Sequence, residues 1–277
     1  MDKIVLITGA TSGFGEACAR KFAAAGYRII ITGRRKERLE KLQQELDPTS
    51  PAGQSDAPAA SSQQVVSNPS APSRPVARVL PLVFDVRDKE AVFTILTNLP
   101  EEWKKIDILI NNAGLALGRD YFEEANLDDW ETMIDTNVKG LLYVSRAVAP
   151  YLIAQKGHII NLGSVAGKEV YEKGNVYCAS KFAVDAISKS MRIDMLRHGI
   201  KVTAIHPGAA DTEFSDVRFK GDKNMARQIY EGYTPLSAED VADTIFYCAS
   251  LPAHVCLNEI IITCKAQADA IYFYKGK

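Results

Sequence analysis

Tyr177 and Lys181 stand four residues apart in Tyr177-Cys178-Ala179-Ser180-Lys181, a spacing that puts both side chains on one face of a helix. Ser164 lies thirteen residues before the tyrosine, in Gly163-Ser164-Val165-Ala166-Gly167. A phenol can carry the proton that leaves or enters a substrate oxygen during hydride transfer. Its ordinary pKa is about 10, so work near neutrality needs the phenolate stabilised by about 4 kcal/mol. A nearby ammonium supplies part of that, and Lys181 is placed to do so. Ser164 is placed to hydrogen-bond and orient the substrate oxygen. A Tyr/Lys pair alone also decorates many solvated helices, so the pair gains meaning only beside a cofactor site.

Such a site opens the chain. An apolar run leads into Thr8-Gly9-Ala10-Thr11-Ser12-Gly13-Phe14-Gly15, and a helical stretch follows. Gly9 permits a tight turn, Gly13 lets backbone approach a bulky ligand, and Gly15 lets the helix pack on the sheet. The helix N-terminus then aims free N–H groups at a pyrophosphate. About twenty residues on, where an NAD site places Asp or Glu on the ribose hydroxyl, the chain has Gly33-Arg34-Arg35. A guanidinium pairs well with a 2′-phosphate and no carboxylate is there to repel it, so NADP(H) is the expected cofactor, with Arg34 ahead of Arg35.

The elements that must position these residues follow from periodicity. Short β-rich apolar runs at 3–8, 28–32, 79–84, 106–111, 158–162, 201–205 and 259–263 alternate with helical stretches, including 13–26, 35–46, 89–99, 127–155 and 175–198. Seven strands with helical crossovers predict an α/β fold: a doubly wound, Rossmann-type parallel sheet with helices on both faces, forming one domain over 1–277. Residues 47–77 break the rhythm. Six of the chain's 12 prolines sit there among Ser, Ala and Gln, which predicts a mobile surface loop inserted into a βαβ unit.

With its Gly9, Gly13 and Gly15, TGxxxGxG resembles the short-chain dehydrogenase/reductase superfamily, and motifs along nearly the whole chain agree. Asp85-Val86 stands where such enzymes hold adenine, and Asn111-Asn112-Ala113-Gly114 matches their NNAG motif. The resemblance implies a nicotinamide-dependent oxidoreductase in which Tyr177 and Lys181 also contact the nicotinamide ribose. It implies further that Asn137 anchors a proton-relay water, and that Pro207, Gly208 and Thr212 contact the cofactor along with Thr11, Ser12, Phe14, Asn112, Ala113 and Gly114. Relatives often carry a second basic residue where this chain has Ser12. The stretches 213–222 and 251–255 are similar to the NADP-dependent 3-hydroxy acid (serine, allo-threonine) dehydrogenase and malonic semialdehyde reductase branch. All its members take a small substrate with an anionic group, and Arg218 and Lys220 are the candidates to clamp it. The resemblance also implies a homotetramer, with the aromatic tail Ile271-Tyr272-Phe273-Tyr274 at a subunit interface.

Composition narrows the rivals. The formal net charge is −1, which gives no reason to expect nucleic acid or an anionic membrane as partner. Five scattered cysteines without a CxxC pair argue against disulfides and zinc and for the cytoplasm. No pattern of histidines or carboxylates argues for a metal, and His158, His198 and His206 read as structural. A non-catalytic dinucleotide sensor would be free to lose Tyr177 or Lys181. A dehydratase or epimerase needs a C-terminal region this chain has no room for. Another carbonyl substrate, such as sulfoacetaldehyde, a fatty acyl chain, a sugar or a steroid, stays open.

Overall fold

The computed structural model describes residues 3–48, 78–222, 224 and 230–276. Its strands are β1 (Ile4–Ile7), β2 (Arg28–Gly33), β3 (Val79–Val83), β4 (Ile106–Asn111), β5 (His158–Leu162), β6 (Lys201–Pro207) and β7 (Glu259–Ile262). They form one parallel sheet in the order β3-β2-β1-β4-β5-β6-β7. The helices are α1 (Gly13–Ala24), α2 (Lys36–Leu46), α3 (Lys89–Thr97), α4 (Leu127–Ile134), α5 (Leu141–Gln155), α6 (Asn175–Met195), α7 (Glu213–Arg218) and α8 (Ala238–Ser250). This is the doubly wound sheet expected from the alternation of apolar runs.

The central strand β1 reads Ile-Val-Leu-Ile and is buried throughout, as a strand covered on both faces must be. Alternate side chains serve two cores. Val5, Ile7, Ile29 and Ile31 face the core that holds Phe22, while Ile4, Leu6, Ile30 and Leu109 face the core of Val92 and Val148. Strand order reverses between β1 and β4, so the carboxyl ends of these strands frame a crevice where a ligand can enter.

The stretch 127–155, expected as one helix, is helical throughout but not uniform. A π-helical turn, Asp135–Gly140, separates α4 from α5. Neither α7 nor α8 is among the helical stretches expected from periodicity. Six residues are too few to show a period. The start of α8 was signalled, however, by Ser237 and Asp240, which form a capping box. Within the segment 47–77, residues 49–77 lie outside the described residues. The Asp47 carboxylate accepts the Arg78 N–H at 2.8 Å, which holds the end of α2 beside the start of β3.

Phe22 locks α1 to α8. It is fully buried and meets Tyr27 and Phe246 edge-on, with centroids 5.0 and 5.1 Å away. Phe22→Ala should lower the unfolding free energy by about 3–5 kcal/mol, read from urea denaturation. A loss below about 1 kcal/mol would show that this core collapses onto the cavity instead.

Candidate active site

The carboxyl ends of the strands open on a cleft of about 860 Å³. Gly9, Thr11, Ser12, Gly13, Phe14, Arg34, Arg35, Asp85, Val86, Asn112, Ala113 and Gly114 line one end. Ser164, Tyr177, Lys181, Pro207, Gly208, Thr212 and Arg218 are also in the lining, with Thr212 beside Gly13. Three residues singled out in the sequence are not in the lining. Gly15 lies beneath the loop, where an added Cβ would come 2.4 Å from the Gly9 carbonyl oxygen, so only glycine lets α1 start there. Asn137 sits behind the wall. Lys220 points away, and its ammonium pairs with Asp129 at 2.8 Å with the side chain more than half exposed.

At the Tyr177 end, burial rules the chemistry. The ammonium of Lys181 is buried and donates to the Leu162 carbonyl at 2.9 Å. Loss of hydration pulls its pKa down to about 8. Burial pushes the Tyr177 phenol above its ordinary value, and Tyr171 adds to this, while a hydrogen bond with Ser164 and the charge of Arg218 pull it back. Ser164 is fixed from two sides. Its hydroxyl caps the turn after β5 by accepting the Ala166 N–H at 3.1 Å, and its carbonyl accepts from His206 Nδ1 at 3.2 Å.

Asn137 owes its place to the π-helical turn. Its Oδ1 accepts the Leu115 N–H, and its Nδ2 donates to the Leu115 carbonyl and to Ser180 Oγ, all within 2.9 Å. One side chain thus ties the segment after β4 to α6 next to Lys181. A π-turn widens the helix locally and is a frequent way to aim one such group.

The glycine-loop end has the donors to hold a dinucleotide. Gly9 and Gly13 take positive φ (67° and 53°), and α1 begins without a side-chain cap, leaving its first N–H groups free. Arg34 is exposed, and among the described residues its only carboxylate contact is a distant one, 3.8 Å to Asp85, which Arg87 holds more closely. Arg35 is already engaged. It donates to the hydroxyls of Thr11 and Ser12 at 2.8 Å and to Glu213 at 3.0 Å. Arg38 joins it, donating to Glu213 at 2.7 Å and to the Thr11 carbonyl at 3.3 Å. Four guanidinium groups, Arg34, Arg35, Arg38 and Arg87, here face two carboxylates, Glu213 and Asp85, a surplus of positive charge that suits an anion better than a bare ribose hydroxyl.

The sequence profile of the short chain dehydrogenase family matches residues 3–68 and 54–223. The chain belongs to this family. The NADP-dependent 3-hydroxy acid dehydrogenase YdfG of Salmonella typhi is 44% identical to it over 259 residues, 93% of each chain. Sulfoacetaldehyde reductase 2 of Chromohalobacter salexigens is 46% identical over 270 residues, 97% of this chain and 96% of its own. Among solved structures, the closed form of serine dehydrogenase complexed with NADP+ superimposes with a TM-score of 0.83 at 42% identity, over 96% of this chain and 97% of that one.

The cleft of this short chain dehydrogenase is also shaped by residues that the sequence did not single out. Arg38 follows Arg35 by one helical turn on α2, a spacing that was there to be read. Tyr171 and Glu213 had no local signal, because their partners Arg218 and Arg35 are 47 and 178 residues away in the chain. Part of the aromatic tail expected at a subunit interface returns over the chain's own cleft: Tyr274 N donates to the Ala266 carbonyl, the Phe273 ring meets Tyr233 at 5.2 Å, and Ile271 and Phe273 line the wall. Tyr272 and Tyr274 remain exposed. Asp185, His206 and Glu259 also converge, within 4.8 Å, but the Lys168 ammonium lies between the two carboxylates at 2.8 and 2.7 Å.

Buried in this way, Lys181 should titrate near pH 8 in an NMR titration of its side chain in the protein without added ligand. A midpoint at the ordinary lysine value would show that water reaches the ammonium.

Proposed function

We propose that this short chain dehydrogenase transfers hydride between NADP(H) and a short hydroxy acid or the matching semialdehyde. The carrying observation is the environment of Arg218. Its guanidinium stands in the cleft wall 5.4 Å from the Tyr177 ring centroid. It is held there by neutral acceptors, the Tyr171 hydroxyl at 3.0 Å and the Gly118 carbonyl at 3.4 Å. Among the described residues no carboxylate pairs with it. A partly buried guanidinium so placed favours an incoming carboxylate or sulfonate. The relatives support the same class, since one is named for 3-hydroxy acids and another for sulfoacetaldehyde.

In this reading NADP(H) supplies or accepts the hydride, and the chain's residues manage the proton and the geometry. Arg218 binds the acid group and sets the carbinol carbon's distance from the cleft floor. Ser164 hydrogen-bonds the substrate oxygen. Tyr177 takes the alcohol proton during oxidation and returns it during reduction. Lys181 stabilises the phenolate and contacts the nicotinamide ribose, and Asn137 holds the segment beside it. Arg34, exposed and 3.8 Å from Asp85, meets the 2′-phosphate, while Arg35 and Arg38 shape the loop behind it. Lys220, paired with Asp129, has no part in the substrate clamp. The assembly we infer is a homotetramer in the cytoplasm, with the exposed Tyr272 and Tyr274 near an interface; no described helix is long and apolar enough to cross a membrane.

The test measures kcat/KM for NADPH and NADH with malonic semialdehyde and with its neutral analogue 3-hydroxypropanal. Wild type should prefer NADPH and the anionic substrate. A Cβ at position 33 would come 2.8 Å from Thr11 Cγ2, so the cleaner cofactor variant leaves Gly33 alone. Arg34→Ala should cut the NADPH preference about ten- to a hundredfold, the equivalent of one charged hydrogen bond of about 1.5–3 kcal/mol. Unaltered selectivity would assign Arg34 to solvent.

A further inference from the structure

The catalytic phenol has a charge problem that Lys181 does not solve alone. Burial disfavours the Tyr177 phenolate, and the same burial weakens the hold of Lys181 on its own proton. The Lys181 ammonium is also 6.0 Å from the Tyr177 ring centroid, occupied with the Leu162 carbonyl. The Arg218 guanidinium is nearer, at 5.4 Å. Unlike an ammonium it keeps its charge at every working pH.

That guanidinium is also well fixed. Its Nη1 donates to the Tyr171 hydroxyl, its Nε to the Gly118 carbonyl, and its Cζ lies 5.6 Å from the Tyr171 ring centroid. The backbone agrees: the Arg218 carbonyl accepts the Gly118 N–H at 3.0 Å, so the end of α7 is tied to the segment after β4. The groups that face the phenol are Lys181 and Cys178 on α6, Ser164 after β5, Tyr171 in the loop before α6, and Arg218 at the end of α7. Of these only Lys181 and Arg218 carry positive charge.

We propose that Arg218 is a second cation of the catalytic tyrosine, held by Tyr171 so that its charge stabilises the Tyr177 phenolate alongside Lys181. The proposal rests on the proton role given to Tyr177 above, but not on the substrate being an acid. It also couples the two roles of Arg218. A carboxylate bound to the guanidinium cancels part of its charge, so the phenol holds its proton more tightly with an anionic substrate than with a neutral one.

The experiment is the pH profile of kcat/KM for NADP-linked oxidation of 3-hydroxypropionate and of neutral 1,3-propanediol. Tyr177 is the base in this direction, so activity falls as pH drops through its pKa, and losing a nearby cation moves that limb to higher pH. Arg218→Gln should shift the limb up by about one unit on the neutral diol, the lower end of what an adjacent opposite charge produces. Arg218→Lys should shift it by less than half as much. Tyr171→Phe, which removes only the acceptor that holds the guanidinium, should shift it in the same direction by a smaller amount. In wild type the acidic limb of kcat, which reports the substrate complex, should lie higher with 3-hydroxypropionate than with the diol. An Arg218→Gln limb unmoved on the diol overturns the proposal, even if KM for 3-hydroxypropionate rises; Arg218 is then a substrate anchor alone and the proposed function stands. A shifted limb without any preference for the anionic substrate upholds this proposal and removes the acid-binding role. If Arg218→Gln turns over too slowly to profile, an ultraviolet phenolate titration against Arg218→Gln/Tyr177→Phe reads the phenol itself. A Tyr177 pKa equal to that measured in the same way for wild type against Tyr177→Phe overturns the proposal, and a raised one upholds it.

Discussion

An ammonium group buried beside a phenol must be kept there by polar atoms, because neither group finds water in its place. Much of the architecture around Lys181 meets this demand. The Leu162 carbonyl at the end of β5 accepts from the ammonium. Ser180, the preceding residue on α6, is held by Asn137, which the π-helical turn aims inward. The turn after β5 fits against α6 so closely that a Cβ at Gly167 would come 2.5 Å from the Lys181 carbonyl oxygen. On the other side the His206 ring fills the space under Gly163, where a Cβ would come 2.4 Å from Nδ1. Strand ends, helix and turn therefore cannot move independently without exposing or orphaning the charge.

The opposite end of the cleft is organised by charge at the surface. Arg35 and Arg38 converge on the Glu213 carboxylate, and both also hold Thr11 of the glycine loop. Exposed ion pairs contribute little stability each, but a shared carboxylate between two guanidiniums fixes geometry. Glu213 opens α7 and Arg218 closes it. One short helix thus spans from the loop expected to hold the cofactor phosphates to the wall expected to hold the substrate.

Much of this was legible in the sequence because it rests on local patterns. Periodicity in runs such as Ile4–Ile7 and Ile106–Asn111 is a property of neighbouring residues, and so are the glycine spacing 9-13-15 and the Tyr177/Lys181 interval. What escaped was set by long-range contact. Tyr171 gains its role only when the fold brings Arg218 to it, and Lys220, two residues further along, turns to Asp129 instead. The basic pair that reads alike in sequence is split by the end of α7, where Lys220 adopts a positive φ of 52°. The π-turn around Asn137 was invisible because one extra residue in a helical turn leaves the apolar pattern on either side nearly intact.

In the proposed function the Tyr177 phenol carries the proton while the rest of the site binds and orients. Tyr177→Phe keeps the ring, its contact with Phe214 and the cleft, and removes only the hydroxyl. The direct measurement is steady-state turnover of the purified variant with NADPH and malonic semialdehyde, alongside the NADPH dissociation constant from fluorescence. Turnover should fall about a thousandfold with a dissociation constant close to that of wild type, in line with the size of a general acid–base contribution. Turnover within tenfold of wild type would contradict it and leave the proton to another group.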